Sequence, residues 1–354
     1  MNDTKKRSSL GFWISTSLAI FFFLCSVVLF FSVIGLLLIK GTLSPQGEEE
    51  KARKLSEVVV EGTGTNKIVI IPVKGIITAQ SSKKLFYEIP SIVDIVKKQL
   101  EQASDDDDVK AVILEIDSPG GGITASDIIH KEILDFKEKT KKKVIVSMQD
   151  VAASGAYYIS VTADVIISHP TTVTGSIGVI MPLVNIASLV EKYGIEDASI
   201  KSGDMKNIGS PLKKMSDEER EVLLDIVDEM YTRFLKVISE GRNMKIEDVK
   251  KLADGRIYTG KQALDNGLVD QIGYTEDAVK VTKEMTGLEE AKIIKYKRTF
   301  TLGEIFAGSM NNLVIDHTIK IDINTLTTEN DFPRFMYLWT GYQRNYFLQW
   351  PALN

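Results

Sequence analysis

Cysteine is almost absent. Cys25 is the only one, and it sits in an apolar run without a partner in the chain, so the remainder can hold neither an intrachain disulfide nor a thiol nucleophile. Histidine is nearly as scarce. His130, His169 and His317 stand far apart and no cysteine can join them, so no metal-ligand spacing exists and no metal is expected. The net charge of −5 carries no basic excess, and no Lys/Arg stripe interleaved with aromatics is present, which excludes an extended nucleic-acid surface. A Gly-x-x-x-x-Gly-Lys-Ser/Thr loop is missing as well, so nucleotide-fuelled unfolding is not expected. With no cofactor implied, any chemistry must come from the chain's own groups.

What is present begins with a long hydrophobic run. Phe12 to Ile39 contains no charged residue, and its roughly 28 positions exceed the roughly 20 that a helix needs to cross a bilayer. A signal peptide would have a shorter apolar core and a small-residue cleavage site, so the run reads as one uncleaved transmembrane helix over residues 11–39. Lys5, Lys6 and Arg7 lie in the short stretch 1–10, which is expected to stay cytoplasmic, with the body of the chain on the extracytoplasmic side of the cell membrane. Residues 40–66 are polar, charged and Gly-containing, as in a linker. With 354 residues, 44% of them hydrophobic, the rest has ample material for a core, expected over residues 67–300. Residues 301–354 form a less regular tail with the aromatic-rich stretch Phe335-Met336-Tyr337-Leu338-Trp339.

Within 67–300 the elements alternate. Ile68 to Val73 and Val109 to Ile116 are β-branched runs, followed by strands at Lys143–Met148 and Asp164–Ser168. Between them lie apolar residues at helical spacing: Ile92 to Leu100, about Thr124 to Thr140, and a short segment from Ser154. The order implies an α/β fold with parallel strands covered by helices on both faces, whose ligands bind at the carboxyl ends of the strands. Ser216-Asp217-Glu218-Glu219 predicts a capping box opening a helix whose stripe Val222, Leu223, Ile226, Met230, Phe234 and Ile238 is expected to pack in the core.

Two motifs fall at such strand ends. Asp117-Ser118-Pro119-Gly120-Gly121-Gly122 can turn its amides outward, and Ser154 in Ala152-Ala153-Ser154-Gly155-Ala156 supplies a hydroxyl. A serine attacks a carbonyl only if something takes its proton and something stabilises the oxyanion. His169, beside Pro170 at a strand end, and His130, within a helix, are poor bases on position alone. A lysine can serve if burial disfavours its charged form. Lys201 and Lys206 lie in one Gly- and Ser-rich loop, and chemistry alone does not choose between them.

The motifs occur in a recognisable order. Ser118 to Gly122, Ala153 to Tyr158, Thr174-Gly175-Ser176-Ile177-Gly178, Lys201-Ser202-Gly203 with Lys206-Asn207, and Gly255 to Gly260 with Gly267 to Asp270 resemble the bacterial signal peptide peptidase A family. The resemblance implies a ClpP/crotonase-like fold of stacked βαβ units, Ser154 as nucleophile, Lys206 as general base, and Ser176 as the serine orienting that lysine. It implies oxyanion amides at Gly121 and, with it, Gly155. It also implies a homo-oligomeric ring in which neighbouring subunits share each site.

The expected function is a membrane-anchored serine endopeptidase that uses a Ser-Lys dyad to digest remnant signal peptides, and unfolded apolar segments, after their release. The rivals are a crotonase-fold acyl-CoA enzyme and a ring-forming, non-catalytic peptide-binding scaffold. The aromatic tail is a candidate occupant of the cleft of its own or a neighbouring subunit, where it would be trimmed.

Overall fold

The computed structural model describes residues 3–42, 54–83, 88–298 and 336–338. The chain divides into two compact units, Met1–Lys54 and Leu55–Asn354. The first is one helix, α1 (Asp3–Thr42), longer at both ends than the expected span. Its segment Ser15–Gly35 has a mean hydropathy of 2.7 over 21 residues, about 31 Å of helix, matching the hydrocarbon thickness of a bilayer.

The second unit is built on a nine-stranded sheet. Its elements in chain order are β1 (Ser56–Glu61), β2 (Lys67–Lys74), β3 (Ser82–Lys83), β4 (Glu88–Ile89), α2 (Ile92–Asp105), β5 (Val109–Ser118), β6 (Gly120–Gly122), α3 (Ile123–Thr140), β7 (Lys143–Ala153) and α4 (Gly155–Ser160). There follow β8 (Val165–Ser168), β9 (Val173–Gly175), α5 (Ala187–Lys192), a 3-10 turn at Asp204–Asn207, α6 (Asp217–Arg242) and α7 (Ile246–Leu252). The last are β10 (Ile257–Thr259), α8 (Gly260–Asp265), β11 (Gln271–Ile272), α9 (Thr275–Thr286), β12 (Lys292–Lys297) and β13 (Met336–Leu338).

The sheet order is β1-β12-β2-β5-β7-β8-β11, parallel from β12 through β11, with β9 beside the end of β7. The continuous β-branched runs have the reason expected of them: alternate residues feed opposite faces. Ile68, Ile70, Ile113, Ile145 and Ile167 pack with Ala278 and Val279 of α9. Val69, Ile71, Val112, Leu114, Val144 and Val146 belong to the larger core with α2 and α3.

Three expectations change. The stretch 40–66 is not all linker, because Ser56–Glu61 forms β1, the antiparallel edge partner of β12. The capping box at Ser216 forms, with the Glu219 amide donating to Ser216 Oγ at 3.2 Å and the Ser216 amide to Glu219 Oε2 at 3.0 Å. Only the second half of α6, however, is core: Phe234, Leu235, Val237 and Ile238 are buried while Val222 and Leu224 face solvent. Finally, the described piece of the tail is a strand. Met336, Tyr337 and Leu338 of β13 pair antiparallel with Gly122, Gly121 and Gly120 of β6.

Candidate active site

Two parallel strands end side by side and deliver the two serines. β7 and β9 pair with Ala153 opposite Gly175, so Ser154 and Ser176 are each the next residue beyond a paired position. The Ser154 amide donates to the Gly175 carbonyl at 2.7 Å, which locks the two ends together. Ser154 has φ 56° and ψ −116°, a strained setting for a residue with a Cβ, and such settings cluster at functional turns. Its hydroxyl is buried and has no hydrogen-bond partner among the described residues. Ser176 is also at positive φ, 50°, fixed by its amide donating to the Arg256 carbonyl at 2.7 Å.

The glycine triplet supplies the amides. Gly120 turns the chain at φ 93°, with its amide donating to Ser118 Oγ at 3.1 Å. Its carbonyl accepts from Ile77, and the Gly122 amide donates to the Ile77 carbonyl, both at 2.9 Å. Neither of these bonds engages the Gly121 amide. A methyl placed on Gly155 would come 3.2 Å from the Gly121 nitrogen and 3.2 Å from the carbonyl oxygen of Tyr337. The triplet, Gly155 and the Tyr337 carbonyl thus meet at one point, beside the serine turn. That is the arrangement an acyl carbonyl needs next to a nucleophile and backbone donors.

Neither candidate lysine is bonded to this constellation among the described residues. Lys206, on the 3-10 turn, is exposed, and among the described residues its ammonium makes no hydrogen bond or ion pair. Lys201 instead donates to Asn207 Oδ1 at 2.9 Å, and Asn207 donates in turn to Asp197 at 3.2 Å, so Lys201 braces its own loop. Neither lysine hydrogen-bonds Ser154 within the chain. His169 is occupied by Thr171 at 2.8 Å and by an edge contact with Tyr274. His130 lies against the Tyr158 ring, centroids 5.1 Å apart, and burial lowers its pKa below the ordinary histidine value. The described residues hold no cluster of His, Cys, Asp or Glu suited to a metal ion.

One part of the site was not anticipated from the sequence. Behind the glycine cradle, Tyr158 and Phe234 form an aromatic pocket filled by Tyr337. Tyr158 donates to Asp127 Oδ1 at 2.6 Å, and Arg233 Nε donates to the same oxygen at 3.1 Å. Burial pushes the Asp127 carboxyl up, but those two hydrogen bonds outweigh it and hold the pKa below the usual carboxylate value. Tyr158 closes the motif that runs from Ala153, which was the one local signal for this wall.

Residues 136–289 match the model of peptidase family S49. The chain is 44% identical over 245 residues to an Enterococcus faecium protein assigned the name signal peptide peptidase SppA, covering 69% of this chain and 71% of that one. It is 37% identical to protease 4 of Haemophilus influenzae, covering 62% of this chain and 35% of that one. It is 34% identical to the chloroplastic serine protease SPPA of Arabidopsis thaliana, covering 62% and 33%. Among solved structures, a point mutant of ClpP1 from Listeria monocytogenes aligns with TM-score 0.39 at 21% identity, over 61% of this chain and 95% of that one. The acyl-CoA alternative gives way to these peptidase relatives: the chain belongs to the signal peptide peptidase A branch of peptidase family S49, and is a serine peptidase.

Proposed function

We propose that this serine peptidase is a membrane-anchored endopeptidase that digests signal peptides after their release, using Ser154 with Lys206 of a neighbouring copy. The observation that carries the dyad is a mismatch of partners: among the described residues, the buried Ser154 hydroxyl has no hydrogen-bond partner, while the exposed Lys206 makes no hydrogen bond or ion pair. A second copy can supply each with the other. In the segment that leads to Lys206, Leu183, Val184, Leu189, Ile195 and Ile200 are exposed, large apolar side chains of the kind that subunit contacts cover. The span Ser15–Gly35 would tether the domain at the face of the membrane where signal peptides are left, with the body extracytoplasmic.

The steps use only groups of the chain. Lys206 takes the Ser154 proton as Oγ attacks the peptide carbonyl, and the amides of Gly121 and Gly155 hold the oxyanion. The lysine then gives its proton to the departing amine, leaving an acyl-serine. Water, deprotonated by the same lysine, releases the acyl group and restores Ser154. Ser176 orients the lysine.

Full-length protein in detergent micelles, given a synthetic signal peptide, should cleave it within its apolar core. Ser154→Ala and Lys206→Ala should each lower kcat at least ~10³-fold, and the wild-type rate should rise with pH. Full activity in Lys206→Ala would assign the base elsewhere. An intact signal peptide beside cleavage of polar peptides would overturn the substrate, and no cleavage of any peptide would favour a peptide-binding scaffold.

A further inference from the structure

The two amides proposed above for the oxyanion stand on different elements. Gly121 lies in β6, which runs straight into α3, and Gly155 is the first residue of α4. Donors stabilise an oxyanion only when both lie within about 2.7–3.1 Å of it, so the packing of α3 on α4 sets their joint geometry. α4 has six residues, too few to hold its own shape, and depends on outside anchors. On one side the Tyr157 hydroxyl donates to the Leu268 carbonyl at 2.8 Å. On the other, Tyr158 is held at both ends: its amide donates to the Ser154 carbonyl at 2.9 Å and its hydroxyl to Asp127 Oδ1 at 2.6 Å. Asp127 is on α3, next to the wholly buried Ser126, whose hydroxyl donates to the Gly122 carbonyl at 2.9 Å and would collide with a methyl on Gly155. Arg233 of α6 donates from Nε to the same Asp127 oxygen at 3.1 Å, so one half-buried carboxylate ties three helices.

We propose that Asp127 is a positioning residue: through Tyr158 it seats α4 on α3, and thereby sets the spacing of the Gly121 and Gly155 amides and the aim of Ser154 Oγ. The role rests on the peptidase reading given above, and Asp127 acts through Tyr158 rather than on substrate. A carboxylate that accepts from a phenol and a guanidinium makes shorter and stronger bonds than a neutral acceptor would, which suits a brace that must not yield as charge develops. A displacement of about 1 Å in such an arrangement can cost on the order of 10² in rate. The loss falls on the transition state, where the amides bind a full charge, and hardly on the ground state, where the carbonyl is neutral.

The test is a double-mutant cycle on the full-length enzyme in micelles, with peptide hydrolysis measured well below each variant's Tm. Asp127→Ala and Tyr158→Phe should each lower kcat about tenfold or more while KM stays within about twofold. The double variant should lie within about twofold of the worse single one, because both changes break the same bond. Asp127→Asn keeps an acceptor oxygen for the phenol and should return kcat to within about fivefold of wild type. A peptide aldehyde supplies the second readout: its carbonyl carbon bonds Ser154 Oγ, the Oγ proton passes to the general base, and the former carbonyl oxygen becomes an oxyanion on the amides. Its inhibition constant should rise across the variants by the same factor as kcat/KM falls. A lower Tm with unchanged kcat and aldehyde affinity would make Asp127 a merely structural brace, and additive losses in the double variant would break the link through Tyr158; either result overturns the proposal and leaves the peptidase standing. Tyr158→Phe removes a single oxygen and keeps the ring, so it decides the matter even where Asp127→Ala does not fold. Wild-type protein that cleaves no peptide would sink the peptidase reading, and the positioning role with it.

Discussion

Ser154 shows how much a single residue can declare in advance. A small-residue turn with a hydroxyl at its apex, about thirty residues after three glycines, was legible because strand ends and glycine turns are local matters. Its φ of 56° has a cost of about 1–3 kcal/mol, offset by the bond from its amide to Gly175. The base was not legible in this way, since Lys201 and Lys206 have the same chemistry and differ only in what surrounds them. His130 gives a residue-scale prediction. Burial is the main reason its pKa lies low, with Arg233 adding to it and Asp127 opposing it. The unfolded chain therefore takes up a proton in the ordinary histidine range that the folded chain resists, so this contribution to stability is full above that range and declines as pH falls through it. In melting experiments between about pH 7.5 and 5.5, the wild-type Tm should fall toward the acid side, and His130→Gln should flatten that part of the slope. An unchanged slope would mean that His130 is as easily protonated folded as unfolded.

Among elements, the buried strands and capped helices were legible and the edges were not. Ile68 to Val73 and Val109 to Ile116 are apolar because both of their faces are covered, and that signal survives without knowing the cover. β1 escaped because Ser-Glu-Val-Val-Val-Glu is an edge strand lying mostly in solvent, and its partner Lys292–Lys297 lies over 200 residues away. The first half of α6 misled in the opposite direction: of its core-like stripe, Val222 is exposed and Leu223 and Ile226 are only half-buried. β6 carries the prediction at this scale. A methyl on Gly121 would sit 2.1 Å from the Ile77 carbonyl oxygen and 2.6 Å from the Ile77 nitrogen, both backbone atoms, so one strand must move. Gly121→Ala should destabilise the fold by about 1–3 kcal/mol in denaturant titrations. If the Gly121 amide is the oxyanion donor proposed above, the variant should also lower kcat roughly 10²-fold or more. A variant with lower Tm and unchanged kcat would show that this amide is not part of the oxyanion site.

At the scale of the molecule, one chain brings Ser154, the glycine triplet and Gly155 together, and among the described residues Lys206 forms no bond to any of them. A shared site makes a sharp prediction about mixtures. Ser154→Ala and Lys206→Ala proteins, each inactive alone, should regain activity when unfolded together and refolded, because some interfaces then join an intact Ser154 to an intact Lys206. For random pairing, about a quarter of sites would be complete. Recovery of nothing from correctly assembled mixtures would mean that each chain builds its own site. The sequence by itself determined the parts governed by short-range rules: the apolar span, the alternation of strands and helices, the serine motif and the glycine turn. Periodicity, capping and φ preference act over a few residues and leave their mark there. Only the tertiary structure decided which strand ends meet, that Ser176 stands beside Ser154, and that Tyr337 lies between Tyr158 and Phe234. Those contacts join residues tens to hundreds of positions apart, and they are fixed by sheet order and packing, which no local pattern encodes.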